Sequence, residues 1–207
     1  IKEAGILVTT SGNHIWRKPE GVDLLTTEEH LIRPYNYPPG APGKGYTVVS
    51  VGAYEILIIN LMGRVYMNDA VDDPFRAFDQ ILEEHKGKEY AAILVDFHAE
   101  ATSETVAFAW YIDGRATAIW GTHTHVPTAD ARLLTKGTGF ITDVGMTGPY
   151  DSVIGVERDI IIKGFLTGRP VRHEYAEEGA AIVNAIELSI DPTKHTTKTI
   201  EHLQKLI

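Results

Sequence analysis

The chain has 207 residues, 43% of them hydrophobic, enough for one sizeable core and too few for several domains. Its net charge is −9 with no run of Lys or Arg, which excludes duplex nucleic acid as a partner, because neutralising phosphates needs clustered cations. It has no cysteine, so disulfides, thiolate metal sites and a cysteine nucleophile are excluded together, a composition that suits a cytoplasmic protein.

Taken in chain order, "ILVTT" (6–10) reads as a first strand, already under way close to a first residue that is not Met. "YNYPPGAPGKG" (35–45) reads as a rigid Pro/Gly loop. "YTVVSV", "EILIINLM", "AAILVDFH", "ATAIWGTH", "GTGFITDVG", "PVRHEYA" and "AIVNAIELSI" follow as short, β-branched runs bounded by Gly, Pro or polar residues, as strands should be. "EILIINL" and "AAILVDF" are almost continuously apolar, so both faces of these strands are expected to be covered. Between them "DDPFRAFDQILEEHKGK" reads as a helix, capped by Asp72 or Asp73 and with Pro74 in its first turn. "TSETVAFAWYIDG" is a second helix, capped by Thr102 or Ser103 and stopped at Gly114, and "GVERDIIIKGFLTG" a third. Phe108 and the pair Trp110 and Tyr111 read as core residues rather than a stacking platform. No apolar run approaches the ~18–20 residues of a membrane span, and nothing reads as a signal peptide. Strands mixed with helices predict one α/β domain of stacked layers over residues 1–207.

Four stretches carry possible chemistry. "SGNH" ends a predicted strand and places Asn13 and His14 at its carboxyl end; "DFHAEATSE" does the same for His98; "GTHTH" carries His123 and His125; and "DVGMTGPYD" is a glycine-rich turn after "GFIT". Sites in open α/β sheets gather outside the carboxyl ends of strands. Imidazole nitrogen and amide oxygen suit Zn, Fe or Mn rather than Ca. An extended backbone through "HTH" would set both rings on one face, since side chains alternate with period two. Each stretch alone has a bland reading: a Gly-Asn turn, a hydrogen-bonded histidine beside Asp96 and Glu100, or a turn needing positive φ at Gly145 or Gly148. All four at strand ends, in this order, are hard to explain as structure alone. His30, His85, His173, His195 and His202 read as surface residues. No G-x-S-x-G elbow is present, which disfavours a serine hydrolase.

These stretches, together with "RPYNYPPGAPGKG" and "DDPFRAFD", closely resemble the bacterial YmdB-like family of calcineurin-like metallophosphoesterases over nearly the whole chain. The resemblance implies an αββα sandwich with a two-metal centre of Fe, Mn, Zn or similar ions, and hydrolysis of small phosphodiesters, notably 2′,3′-cyclic nucleotides. It implies Asn13, His98 and His123 as ligands of one metal, His125 as a ligand of the other, and His14 as general acid or phosphate contact.

The chain departs from the family pattern twice. The family's two opening strands, which carry an Asp ligand and the bridging Glu, have no counterpart here, so the sandwich is expected to lack its first strands and to hold two, one or no ions. Asp96, Asp130 and Asp143 are the carboxylates that could stand in for the bridge. Arg17 follows "GNHIW" where the family usually has an acidic residue, and a cation there would lower the His14 pKa. The alternatives are a metal-binding hydrolase of other esters and a fragment that no longer catalyses. An exposed sheet edge predicts a homo-oligomer.

Overall fold

The computed structural model describes residues 2–207. In chain order its elements are α1 (Pro19–Thr27), β1 (Tyr46–Val51), β2 (Tyr54–Met62), α2 (Pro74–Glu84), β3 (Ala92–His98), α3 (Thr102–Ile112), β4 (Ala118–Thr122), β5 (Arg132–Leu133), β6 (Gly139–Ile141), β7 (Gly148–Pro149), α4 (Arg158–Thr167), β8 (Ala181–Asp191) and β9 (Thr196–Leu206). A six-stranded sheet has the order β1-β2-β3-β4-β6-β5, and a three-stranded sheet the order β7-β8-β9. β2, β3, β4 and β6 run parallel, while β1 and β5 close the edges antiparallel. The second sheet meets the first through β9, where the Thr197 hydroxyl donates to the Thr117 carbonyl at 2.7 Å.

The parallel register lines apolar side chains in rows. Ile59 pairs with Val95, Val95 with Ile119 and Ile119 with Phe140, and all four are fully buried. This row faces α2 and α3, which bring Phe78, Ile81, Phe108 and Ile112 onto it. The opposite faces of the same strands carry Asn60, Asp96, His98 and Thr122, so polar groups lie on the side away from the helices and toward the carboxyl ends. On the helix side of β2 and β3, Ile59, Val95 and Phe97 are fully buried, whereas Ile56, Ile58 and Leu94 on the other face are only partly buried, so the cover expected on both faces is incomplete among the described residues.

α2 begins where its sequence indicates. The Asp73 carboxylate accepts from the amides of Phe75 (2.9 Å) and Arg76 (3.3 Å), and Pro74 occupies the first turn. Asp73→Ala should lower stability by about 1 kcal/mol, measured by urea unfolding; a change indistinguishable from zero would show that the cap is redundant.

Several expectations are corrected. "ILVTT" is not a strand of the sheet: it makes one parallel bridge, Thr9 with Leu31, and leaves Ile6 and Leu7 half-exposed. "PVRHEYA" makes only the Val156–Tyr175 bridge. α1 and β9 were not legible, because "PEGVDLLTT" holds a glycine in its first turn and β9 is polar on alternate, solvent-facing positions. α3 starts as expected, but neither Thr102 nor Ser103 caps it; Ala101 stands at the cap without a side-chain bond. Trp110 and Tyr111 are exposed, since the buried stripe of α3 runs through Thr105, Phe108, Ala109 and Ile112 and leaves them outside it. His85 is buried rather than superficial, its Nδ1 against the Tyr90 hydroxyl and its ring edge-on to Tyr46. The Pro/Gly loop wraps Arg33, whose guanidinium donates to the carbonyls of Pro34, Tyr35, Ala41 and Pro42. Among the described residues no helix is long and apolar enough to cross a membrane.

Candidate metal centre

β3 and β4 run parallel and end together, at His98 and Thr122. His98 is the last residue of β3, and His123 follows β4 directly. The segment bearing Asn13 lies across these ends, held by the Ser11 amide donating to Asn60 Oδ1 on β2 at 3.1 Å and the Ser11 hydroxyl donating to the Ile32 carbonyl. Three donor atoms from three segments thereby meet: His98 Nε2 lies 3.1 Å from Asn13 Oδ1 and 3.1 Å from His123 Nδ1.

Two glycines permit this approach. A Cβ on Gly12 would come within 2.3 Å of the His98 ring, and a Cβ on Gly121 within 1.7 Å of the Thr142 carbonyl oxygen. These are the glycines of "SGNH" and "WGTHTH"; each makes room for a close contact, without left-handed backbone.

The extended "HTH" expected from the sequence does not occur. His123 has φ 111° and His125 φ 68°, both left-handed and both unfavourable for a residue with a Cβ. The intervening Thr124 is fixed by its amide (3.0 Å) and hydroxyl (2.8 Å), both donating to Asp143 Oδ2, while the Gly145 amide donates to Asp143 Oδ1. The turn sends the two rings to different partners. His123 joins His98, whereas His125 is exposed and its Nδ1 donates to the Ile154 carbonyl at 2.8 Å.

Of the carboxylates considered as stand-ins for the bridge, Asp143 spends both oxygens on this turn. Asp130 accepts from the Thr128 and Thr142 hydroxyls, the Thr142 amide and Arg132. Asp96 is buried beneath the cluster and accepts from the Thr122 hydroxyl at 2.8 Å. Burial pushes its carboxyl up to about 6, and Asp143 adds to this. The carboxylate that does reach the cluster is Glu100, with Oε2 3.1 Å from His123 Nε2. Its position two residues after His98 in "DFHAEATSE" was the available signal.

Burial, reinforced by His123, His14 and His125, holds the His98 imidazole down at about 3. It is neutral at ordinary pH, the form in which imidazole binds a metal. His14 is exposed at the rim; partial burial first and then the Arg17 guanidinium hold its pKa below the usual value.

Among the described residues no three His, Asp or Glu side chains group as a complete ligand set; the cluster is two imidazoles and an amide. The spacing still fits one ion. Donors ~2.1 Å from a metal and at tetrahedral to octahedral angles lie about 3.0–3.4 Å apart, and the two 3.1 Å separations from His98 Nε2 fall in that range. A larger cavity, of about 1150 Å³ between the Pro/Gly loop and α2, holds none of these histidines; its buried cation, Arg33, is spent on backbone carbonyls.

The YmdB-like protein family model matches residues 1–203. A 2′,3′-cyclic-nucleotide 2′-phosphodiesterase of Bacillus subtilis is 47% identical over 201 residues, covering 97% of this chain and 75% of that protein. A crystal structure of a phosphatase from Mycoplasma pneumoniae superposes with a TM-score of 0.90 at 34% identity, covering 99% of this chain and 74% of that one. A 5′-nucleotidase from Staphylococcus aureus shares the fold at a TM-score of 0.55 and 16% identity, over 94% of this chain and 37% of that one. With a family model spanning nearly its whole length and a relative of this identity, the chain belongs to the YmdB-like family and has its calcineurin-like α/β fold.

Proposed function

We propose that this chain carries the histidine half of a metal-dependent phosphodiesterase site that hydrolyses small phosphodiesters of the 2′,3′-cyclic nucleotide class. The observation that carries the reading is His98 Nε2 lying 3.1 Å from both Asn13 Oδ1 and His123 Nδ1, where β3 and β4 end and the Asn13 turn crosses them. The activity of the B. subtilis relative supports it. In this reading Asn13, His98 and His123 hold one transition-metal ion, Fe, Mn or Zn. His125, whose Nδ1 proton goes to the Ile154 carbonyl, keeps Nε2 bare for a second ion.

A bound ion there supplies Lewis acidity and a water of lowered pKa. The chain's own residues do the rest. Asn13 and the two rings would hold that ion at the ends of β3 and β4. His14, electrostatically coupled to His123 and His125, stands where it contacts a phosphoryl oxygen or donates a proton to the oxygen that leaves phosphorus.

The donor set here is neutral; Asp130 and Asp143 have both oxygens in hydrogen bonds, and Asp96 is buried beneath the cluster against the Thr122 hydroxyl. Two dications about 4 Å apart repel by roughly 17 kcal/mol at an effective dielectric of 20. The 207-residue chain is therefore expected to retain at most one ion after dialysis and to turn over a cyclic nucleotide weakly. Metal analysis with light scattering tests this, and a mass above 22.8 kDa is expected because Ile6, Leu7, Phe165 and Leu166 lie exposed. Two retained ions with fast turnover would show that a carboxylate of this chain bridges them. No uptake of Mn²⁺ or Zn²⁺, with no hydrolysis, would overturn the reading.

A further inference from the structure

Each imidazole of the cluster has a second nitrogen, and its partner decides which nitrogen carries the proton. The Thr122 hydroxyl has one proton, and it is given to Asp96 Oδ1 at 2.8 Å. Thr122 Oγ1 must then accept from His98 Nδ1, 3.0 Å away, so His98 is protonated at Nδ1 and bare at Nε2. On the other ring, His123 Nε2 lies 3.1 Å from Glu100 Oε2, a carboxylate that only accepts. His123 is therefore protonated at Nε2 and bare at Nδ1.

The two bare nitrogens are the pair that face each other at 3.1 Å, with Asn13 Oδ1 the same distance from the first. Lone pairs aimed at one another with no proton between them repel, and a cation placed among them turns that repulsion into coordination. Each choice depends on its own outer partner. If His98 were protonated at Nε2, or His123 at Nδ1, a proton would occupy the point where the three donors converge.

We propose that the Asp96–Thr122 pair and Glu100 are positioning residues that select opposite tautomers of His98 and His123, so that the metal pocket is prepared before any ion enters. Asp96 acts from the buried side, through the hydroxyl of the last residue of β4. Glu100 acts from the solvent side, where its side chain is 49% exposed. The two devices use different strand ends, so they are separately removable. The proposal rests on the metal-site reading above only for its consequence, metal affinity; the tautomers themselves are a property of the ion-free chain.

The test uses the full chain stripped with a chelator, ¹⁵N-labelled at histidine and observed by long-range ¹H–¹⁵N correlation, followed by competition titration with Zn²⁺. The wild type should show His98 protonated at Nδ1 and His123 at Nε2. Thr122→Val, close in volume but without the hydroxyl, should shift only His98 toward the other tautomer, and Thr122→Ser should restore it. Glu100→Ala should shift only His123, and Glu100→Gln, which keeps an acceptor oxygen, should recover most of the effect. Thr122→Val and Glu100→Ala should each weaken Zn²⁺ binding about 10–100-fold, with an unchanged circular dichroism spectrum. Identical tautomers in wild type, Thr122→Val and Glu100→Ala would overturn the proposal, as would a wild-type His98 protonated at Nε2. The stated tautomers and their shifts, combined with no Zn²⁺ uptake by the wild type, would uphold the selection and overturn the metal-site reading instead.

Discussion

Replacing His14 by Ala should lower phosphodiester turnover by roughly 10²–10⁴-fold, the range of general acid–base assistance, while the metal retained per chain stays the same. The expectation follows from position: His14 is exposed and next in sequence to Asn13, and it makes none of the contacts among Asn13, His98 and His123. Partial burial and Arg17 keep its pKa low, so neutral imidazole predominates near neutral pH. Contact with a phosphoryl oxygen is then as important as proton transfer. His14→Gln separates the two, because an amide donates a hydrogen bond and cannot transfer a proton. Turnover near wild type in His14→Gln would assign contact alone, and a loss matching that of His14→Ala would assign proton transfer. Parallel loss of metal and turnover would make His14 a ligand instead.

Phe108→Ala should destabilise the fold by about 3–5 kcal/mol, a large part of the stability of a typical domain. Phe108 is fully buried at the junction of α2, α3 and the large sheet. Its ring stacks on Phe97 at 4.4 Å between centroids and meets Phe75 and Phe78 edge-on, at 5.2 and 6.0 Å. The cavity left would lie between three aromatic neighbours that cannot collapse into it. Phe97 is one residue before His98 on β3, so loosening of this face would also reach the proposed metal cluster. Chemical denaturation measures the first effect and Zn²⁺ affinity at low temperature the second. A loss below about 1 kcal/mol would mean that the aromatic cluster repacks.

The residues of the candidate site were legible in the sequence because each lies in a locally patterned stretch. Continuous apolar runs identified β2, β3 and β4, and the position of His98 and "GTHTH" at the ends of two of them placed these histidines on one edge of the sheet. Asp73 and Pro74 fixed the start of α2 by a contact within three residues. Such features depend only on near neighbours, and a sequence displays its near neighbours.

Where each ring points was another matter. The "HTH" spacing promised two rings on one face, but Asp143, far along the chain, holds Thr124 and forces His123 and His125 into left-handed backbone. Glu100, two residues after His98 in sequence, turns instead to His123, while Asp130 and Asp143 have both oxygens taken by hydrogen bonds and Asp96 lies buried against the Thr122 hydroxyl. "ILVTT" had the composition of a strand without a strand to pair with beyond a single bridge, and β9 had a partner in β8 without the composition. Sequence alone determined the family, the central elements β2, α2, β3, α3 and β4, and the residue types of the candidate site. The tertiary structure decided what surrounds each ring, because that depends on contacts between groups such as His98 and Thr122, 24 residues apart, and His123 and Glu100 on different strand ends, which no local pattern encodes.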